Sequence, residues 1–325
     1  MIAAGIDGRW LRPAAEAGTE DDAGPRWGHR TGLQVGLHPL TGPRGLLRIY
    51  APYLDHPNER LINFIAVEPI PTGATTRGLS ELEASQLDGV AGKRFWSADD
   101  PADTWQGALD RPARGVLETV DGVERLRVVV GVERFVSGAE VFLTLTFRAD
   151  RPHEIGLAAS RRPGSAPLDR CILSATMGNF ARLRRLELAD GIVTPAELWP
   201  DFAGDHFTDH GSFGLDRITR NPGGDAVVSA TPDEPDPTAA TYADTTAEHW
   251  KYVGAAARQT WRAPNPDPAL RVQVNGRHCY WMSRSAIPGG TSYENFELSE
   301  PFADGRQVFF SVMPLPEGDS ATASP

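Results

Sequence analysis

The sequence predicts an all-β fold, a large antiparallel β-sandwich with one or two short helices, on three observations. Gly and Pro, 33 and 27 of 325 residues, interrupt the chain too often for long helices, because both are poor in helix interiors. The segments between these breaks are short and rich in β-branched, aliphatic and aromatic residues. In EVFLTLTFR (140–148), Val141, Leu143, Leu145 and Phe147 alternate with Phe142, Thr144, Thr146 and Arg148, the period of a strand with one drier face.

In chain order, strands are predicted at LLRIYA (46–51), RLINFIAVE (60–68), RLRVVVGVERF (125–135), EVFLTLTFR, CILSATM (171–177), DAVVSAT (225–231), LRVQVNG (270–276) and QVFFSVM (307–313). FARLRRLEL (180–188) has the composition of a helix, but its leucines alternate, and its neighbours place it with the strands. A helix is predicted within RGLSELEASQLDG, where Ser80 and Glu83 match a capping box, Leu79, Leu82 and Leu87 can share a face, and Gly89 suits a stop. TPDEPDPTAATYADTTAEHW (231–250) is a long polar connection, of the kind that is functional or disordered. No linker divides the chain cleanly. The expected organisation is a flexible segment at 1–26, a single β domain at 27–315 and a flexible tail at 316–325.

Net charge and cysteine usage narrow the function classes. A formal charge of -11 argues against a general nucleic-acid or anionic-membrane binder, which needs a basic face. Two cysteines, Cys171 and Cys279, exclude a disulfide framework and make a cysteine-based zinc site a poor reading. The first residues lack the apolar core of a signal peptide, so the chain reads as cytoplasmic as written, or secreted if a leader was removed. A homo-oligomer is compatible with all of this. No phosphate-binding glycine loop, nucleophile elbow or paired CxxC is present in the sequence.

The candidate chemistry lies in a dispersed set of carboxylates, histidines, arginines and tryptophans. DFAGDHFTDH (201–210) holds His206 and His210 four residues apart, but Gly204 and Gly211 disfavour a helix. Its readings are a loop contributing a functional histidine, a divalent-metal site using Asp205 and Asp209, or a solvated loop without function. Glu68 ends an apolar strand before Pro69, where partial desolvation suits acid–base work; the competing reading pairs it with an arginine such as Arg77. In SYENFELSEPF, a strand would put Glu294 with Phe296 and Leu298 on one face, and Tyr293, Asn295 and Glu297 on the other. Glu294 is then either catalytic or held in a structural salt bridge.

Trp96, Trp105, Trp199, Trp250, Trp261 and Trp281 are placed in or beside loops, where indole faces can stack on sugar rings, although each alone can equally be core. The substrate-binding candidates are Trp199, Trp250, Arg277, Trp281 and Tyr293, and Arg182, Arg184 or Arg277 can neutralise a uronate.

INFIAVEP, TMGNFARLR and ENFELSEPFADGRQVFFSV resemble the galactose-mutarotase-like supersandwich proteins, which include sugar epimerases and domains of polysaccharide lyases and glycoside hydrolases. The chain is otherwise similar to bacterial β-sandwich proteins that imply no function. The resemblance implies a sandwich of supersandwich or jelly-roll type. His206 and His210 are the nearest counterparts in kind to the family's histidine pair, at a shorter spacing. The expectation is a carbohydrate-active enzyme, a glycoside hydrolase or polysaccharide lyase, in which Glu68 or Glu294 and His206 or His210 divide acid and base roles. The alternative is a noncatalytic carbohydrate-binding or structural sandwich. No cofactor is expected beyond the divalent metal that the third reading requires.

Overall fold

The computed structural model describes residues 8–14, 24–37, 44–55, 61–102, 112–234 and 236–315. The chain is an all-β sandwich, its strands paired in two antiparallel sheets of nine and eleven. It divides into two compact units. The first comprises Met1–Tyr50, Phe64–Leu173 and Glu300–Phe310; the second comprises Ala51–Asn63, Ser174–Ser299 and Ser311–Pro325.

Unit 1 begins with β1 (Trp10–Leu11), β2 (Arg26–His29), β3 (Gln34–Gly36), β4 (Leu46–Tyr50) and β5 (Leu61–Pro71), each paired with the next. It continues through β6 (Phe95–Ala98), β7 (Val116–Val120), β8 (Val123–Val132), β9 (Val141–Arg148) and β10 (Arg151–Arg161), arranged β10-β9-β8-β6 with β7 also on β8. Indole and imidazole groups join the layers: Trp27 Nε1 donates to Ala113 O at 2.9 Å, and His29 Nε2 lies 2.8 Å from Arg148 O. Close approach has a backbone requirement at Gly28, whose φ is +137° and where a Cβ would collide with Leu33 O and Gln34 Cα. The alternation read in 140–148 is realised, since Val141, Leu143, Leu145 and Phe147 are all fully buried.

The division between the units falls inside β5, β11 (Leu168–Thr176) and β20 (Gln307–Pro314). Unit 2 holds β12 (Leu183–Leu188), β13 (Gly191–Val193), helix α1 (Pro195–Leu198), β14 (Gly211–Gly214), β15 (Thr219–Arg220), β16 (Ala226–Pro232), β17 (Ala257–Ala263), β18 (Arg271–Arg277) and β19 (Ser292–Ser299). One layer runs β13-β12-β16-β17 with β15 on β16, and the other runs β14-β18-β19. Trp261 on β17 donates its indole N–H to Phe296 O on β19 at 2.8 Å, joining the two layers around a core that includes Leu186, Val228, Val272 and Val274.

All eight apolar segments read as strands are strands, as is the ambiguous segment at 183–188. Several strands escape the period-two reading, most of them short, and two are long. β10 begins RPHE and continues through Gly-Leu-Ala-Ala-Ser, mostly residues of weak strand preference, and β17 (ARQTWRA) alternates small or polar residues around one tryptophan. Trp96 in β6 and Trp261 in β17 are buried strand residues, the core reading open to each tryptophan, while Trp105 lies outside the described residues. So do 1–7, 15–23 and the tail from 316.

The helix expected within 77–89 is a succession of turns. Its capping residues are recruited by the tertiary structure instead: Ser80 Oγ donates to Gly45 O at 2.6 Å and accepts from Val67 N at 2.9 Å. Glu83 lies 2.8 Å from the buried Lys93 Nζ and accepts from Val136 N. Without them the first turn has no cap, and Leu82 and Leu87 stay exposed. The only α-helix among the described residues is α1, where Thr194 and Glu197 form the capping box and Pro195 occupies the first turn. No helix among the described residues is long and apolar enough to cross a membrane.

Two stability predictions follow from unit 1. Ser80→Ala leaves a buried amide and a buried carbonyl without their shared partner, and urea denaturation is expected to show a loss of about 1–3 kcal/mol. His29 is held below the ordinary histidine range, first by burial, with the hydrogen bond to Arg148 O opposing and the charges of Arg9 and His153 assisting. The unfolded chain therefore takes up this proton first as pH falls. The stability contribution is complete above about pH 6.5 and is lost as pH drops through the folded-state value. Urea midpoints measured from pH 7.5 to 5 should fall less steeply in His29→Gln than in the parent protein, with a residual slope from His153, which burial also lowers.

Candidate active site

Antiparallel register in unit 2 builds a polar face. Val274 pairs with Phe296 and points with it into the core, so alternation gives Gln273, Asn275 and Arg277 the opposite face of β18. Directly across lie Glu297, opposite Gln273, and Asn295, opposite Asn275. On the other flank, Ser212 of β14 stands opposite Gln273, and His210 immediately precedes β14 beside Asn275. Glu297 is fully buried, and the His210 side chain retains 36% exposure.

The loop 203–210 is fastened to β18 at several points. Thr208 N donates to Gly276 O at 3.0 Å, and Gly276 N returns a 2.8 Å bond to Thr208 Oγ1. Arg277 donates from Nη2 to Asp205 O at 2.9 Å and from Nε to Cys279 O at 3.1 Å, with its guanidinium over the rings of Phe207 and Trp281. The two histidines part company here. His206 is exposed and meets Phe202 edge to face at 5.2 Å, whereas His210 Nε2 lies 3.5 Å from Asn275 Nδ2 and 3.9 Å from Glu297 Oε1.

The Asn275 amide has a fixed orientation, because its Oδ1 accepts from Asn295 N at 3.2 Å. Its Nδ2 is therefore the donor aimed at His210 Nε2 across 3.5 Å. His210 Nε2 thus lies beside both an amide donor and a buried carboxylate.

The remaining candidates have other partners. Glu68, in unit 1, is buried and receives Arg77 Nη1 at 2.8 Å; burial, with the nearby Glu68 charge, pushes the Cys171 thiol up to about 12. Glu294 is buried at the register shift between Asn275 and Gly276, and its carbonyl accepts from Gly178 N at 2.9 Å. Tyr293 is buried beneath Trp199, edge to face at 6.1 Å, and donates to Val193 O at 2.8 Å, with burial raising its hydroxyl far above the ordinary tyrosine range. Trp250 stacks on Tyr280 at 5.4 Å, and Trp281 lies 5.4 Å from Phe207. Asp205 and Asp209 are exposed and contribute backbone carbonyls to the loop, and among the described residues no three His, Cys, Asp or Glu side chains converge to hold a metal ion.

A cleft of about 380 Å³ opens in the same unit, walled by Trp199 and Phe202 on one side and by Arg184, Asp233, His278 and Thr291 elsewhere. Arg184 donates to Asp233 Oδ1 at 2.9 Å and to the carbonyls of Thr291, Pro288 and Gly290, so its charge and geometry are used in holding the 288–291 turn. Of the residues gathered around His210 and Arg277, Glu297, Asn275 and Phe207 are not among the candidates chosen from the sequence. Their signal was available: Gln273, Asn275 and Arg277 alternate with Val272 and Val274, and Asn295 and Glu297 alternate with Phe296.

No protein-family model matches this chain, and no curated protein and no solved structure compared with it matches either.

Arg277→Lys removes the fork that spans two carbonyls, which a single ammonium cannot reproduce. Urea denaturation is expected to show a loss of about 1.5–3 kcal/mol, the scale of a hydrogen bond from a charged donor. Limited proteolysis should show earlier cleavage within 203–207.

Proposed function

We propose that the protein is a carbohydrate-active enzyme acting on a glycosidic bond or sugar ring, with its acid–base site in unit 2. The observation that carries this reading is the placement of His210 Nε2 between the Asn275 amide donor and the buried Glu297 carboxylate. His210 acts as the base, its Nε2 giving up the long contact to Asn275 as it takes the substrate proton, and the Glu297 carboxylate at 3.9 Å stabilises the imidazolium and allows the proton's return as an acid. Glu297 takes the carboxylate role expected of Glu68 or Glu294. Glu68 is already neutralised by Arg77.

The surroundings suit a polyhydroxylated ring. The cleft in the same unit, lined by Trp199 and Phe202, has room for a sugar unit and apolar faces to stack on it. The resemblance to galactose-mutarotase-like proteins points to the same substrate class.

The test is a glycan panel containing neutral and uronate-bearing oligosaccharides, followed by product mass, absorbance of unsaturated uronates and exchange of anomeric or ring protons. Turnover is expected on at least one member. His210→Asn and Glu297→Gln should each lower it by about 10²–10⁴-fold, the range of a lost general acid–base group, with unchanged thermal midpoints. Binding across the panel without turnover would replace the enzyme reading with a noncatalytic sugar-binding sandwich.

A further inference from the structure

Three arginines of unit 2 are deeply buried, and they differ in what surrounds them. Arg184 is paired with Asp233 and three carbonyls, and Arg277 with two carbonyls and two aromatic rings. Arg182 is 2% exposed, yet it makes one hydrogen bond, from Nη2 to Pro237 O at 3.3 Å, and meets the Tyr242 ring at 5.9 Å. Among the described residues no carboxylate pairs with it, and its Nε has no hydrogen-bond partner. A guanidinium taken out of water without an anion is strongly disfavoured, so this position favours an anionic partner beyond the described residues.

A neighbour of Arg182 shares the same deficit. Asn179, in the same turn and fully buried, has neither amide atom hydrogen-bonded among the described residues. Both ends of the turn sit in the left-handed region, with φ of 65° at Met177 and 52° at Arg182, a conformation that side-chain-bearing residues adopt mainly at functional sites. Over it lies the segment 236–252, clasped by Tyr242, whose hydroxyl donates to Tyr252 O at 3.3 Å and accepts from Tyr252 N at 3.1 Å. Trp250 of this segment stacks on Tyr280, whose hydroxyl feels the Arg182 charge.

We propose that Arg182 and Asn179, roofed by the 236–252 segment, form a recognition site for the carboxylate of an acidic sugar, a uronate. The planar guanidinium fork matches a carboxylate, and Arg182 Nε with Asn179 Nδ2 supplies N–H donors to its oxygens. Asn179 Oδ1 then remains for a ring hydroxyl. This inference rests on the carbohydrate reading for its ligand class, but its test reads binding and needs no turnover.

The experiment is calorimetric titration and thermal denaturation of the full chain with D-glucuronate, acetate and D-glucose. Glucuronate is expected to bind at one site and raise the unfolding midpoint, with acetate weaker and glucose weakest. Arg182→Gln should weaken glucuronate about 100-fold, the scale of removing one member of a buried charge pair. Because that variant can fail to fold, Asn179→Asp is the second arm. It places a carboxylate beside Arg182 within the chain, and should raise the midpoint of the free protein while abolishing glucuronate binding. Equal affinity for glucose or acetate, unchanged binding in Arg182→Gln, or a lower midpoint in Asn179→Asp overturns the assignment. His210→Asn should bind glucuronate normally. Failure at Arg182 and failure of the acid–base reading therefore give different results.

Discussion

The pairing of β18 with β19 is the constraint on which the polar face of unit 2 depends. Its register sets Gln273 against Glu297 and Asn275 against Asn295, while Val274 and Phe296 go to the core, where Trp261 ties the opposite layer to the Phe296 carbonyl. One irregularity, between Asn275 and Gly276, lets the strands turn away from this pattern. Beyond it Gly276 stands opposite Tyr293, where Trp199 approaches closely enough that a Cβ at 276 would sit 3.1 Å from its ring. Polar floor and aromatic wall thus follow from a single strand pair.

Buried charge is handled by different means in the two units. In unit 1 it is closed locally: Glu68 with Arg77, Lys93 with Glu83, and Asp88 with both Arg44 and Arg94. The hydrogen bond from Arg44 holds the Asp88 carboxyl far below the usual carboxylate range. In unit 2 Arg184 is likewise closed by Asp233, while Arg182 and Arg277 lean on carbonyls and rings, and Glu297 has a histidine at 3.9 Å as a neighbour of opposite charge when that histidine is protonated.

The legible part of this protein was whatever local periodicity and turn chemistry dictate. Alternation in EVFLTLTFR and LRVQVNG, and the density of Gly and Pro, were enough for the fold class and for nine of its strands. The same logic failed at Ser80 and Glu83, where an adequate capping box competed with long-range partners at Gly45, Val67 and Lys93 and lost. It succeeded unnoticed in TPAE, where the box has no such competitors and α1 forms.

The sequence by itself determined which segments become strands and which side chains along each strand share a face, because those follow from steric preferences within a few residues. It could place His210, Arg277 and Glu294 among the candidates, but not choose among carboxylates or arginines. Only the tertiary structure decided that Glu297 meets His210, that Arg184 has Asp233 and that Arg182 has no acid beside it among the described residues. Those choices depend on register and loop closure between residues far apart in the chain, information that no local pattern carries.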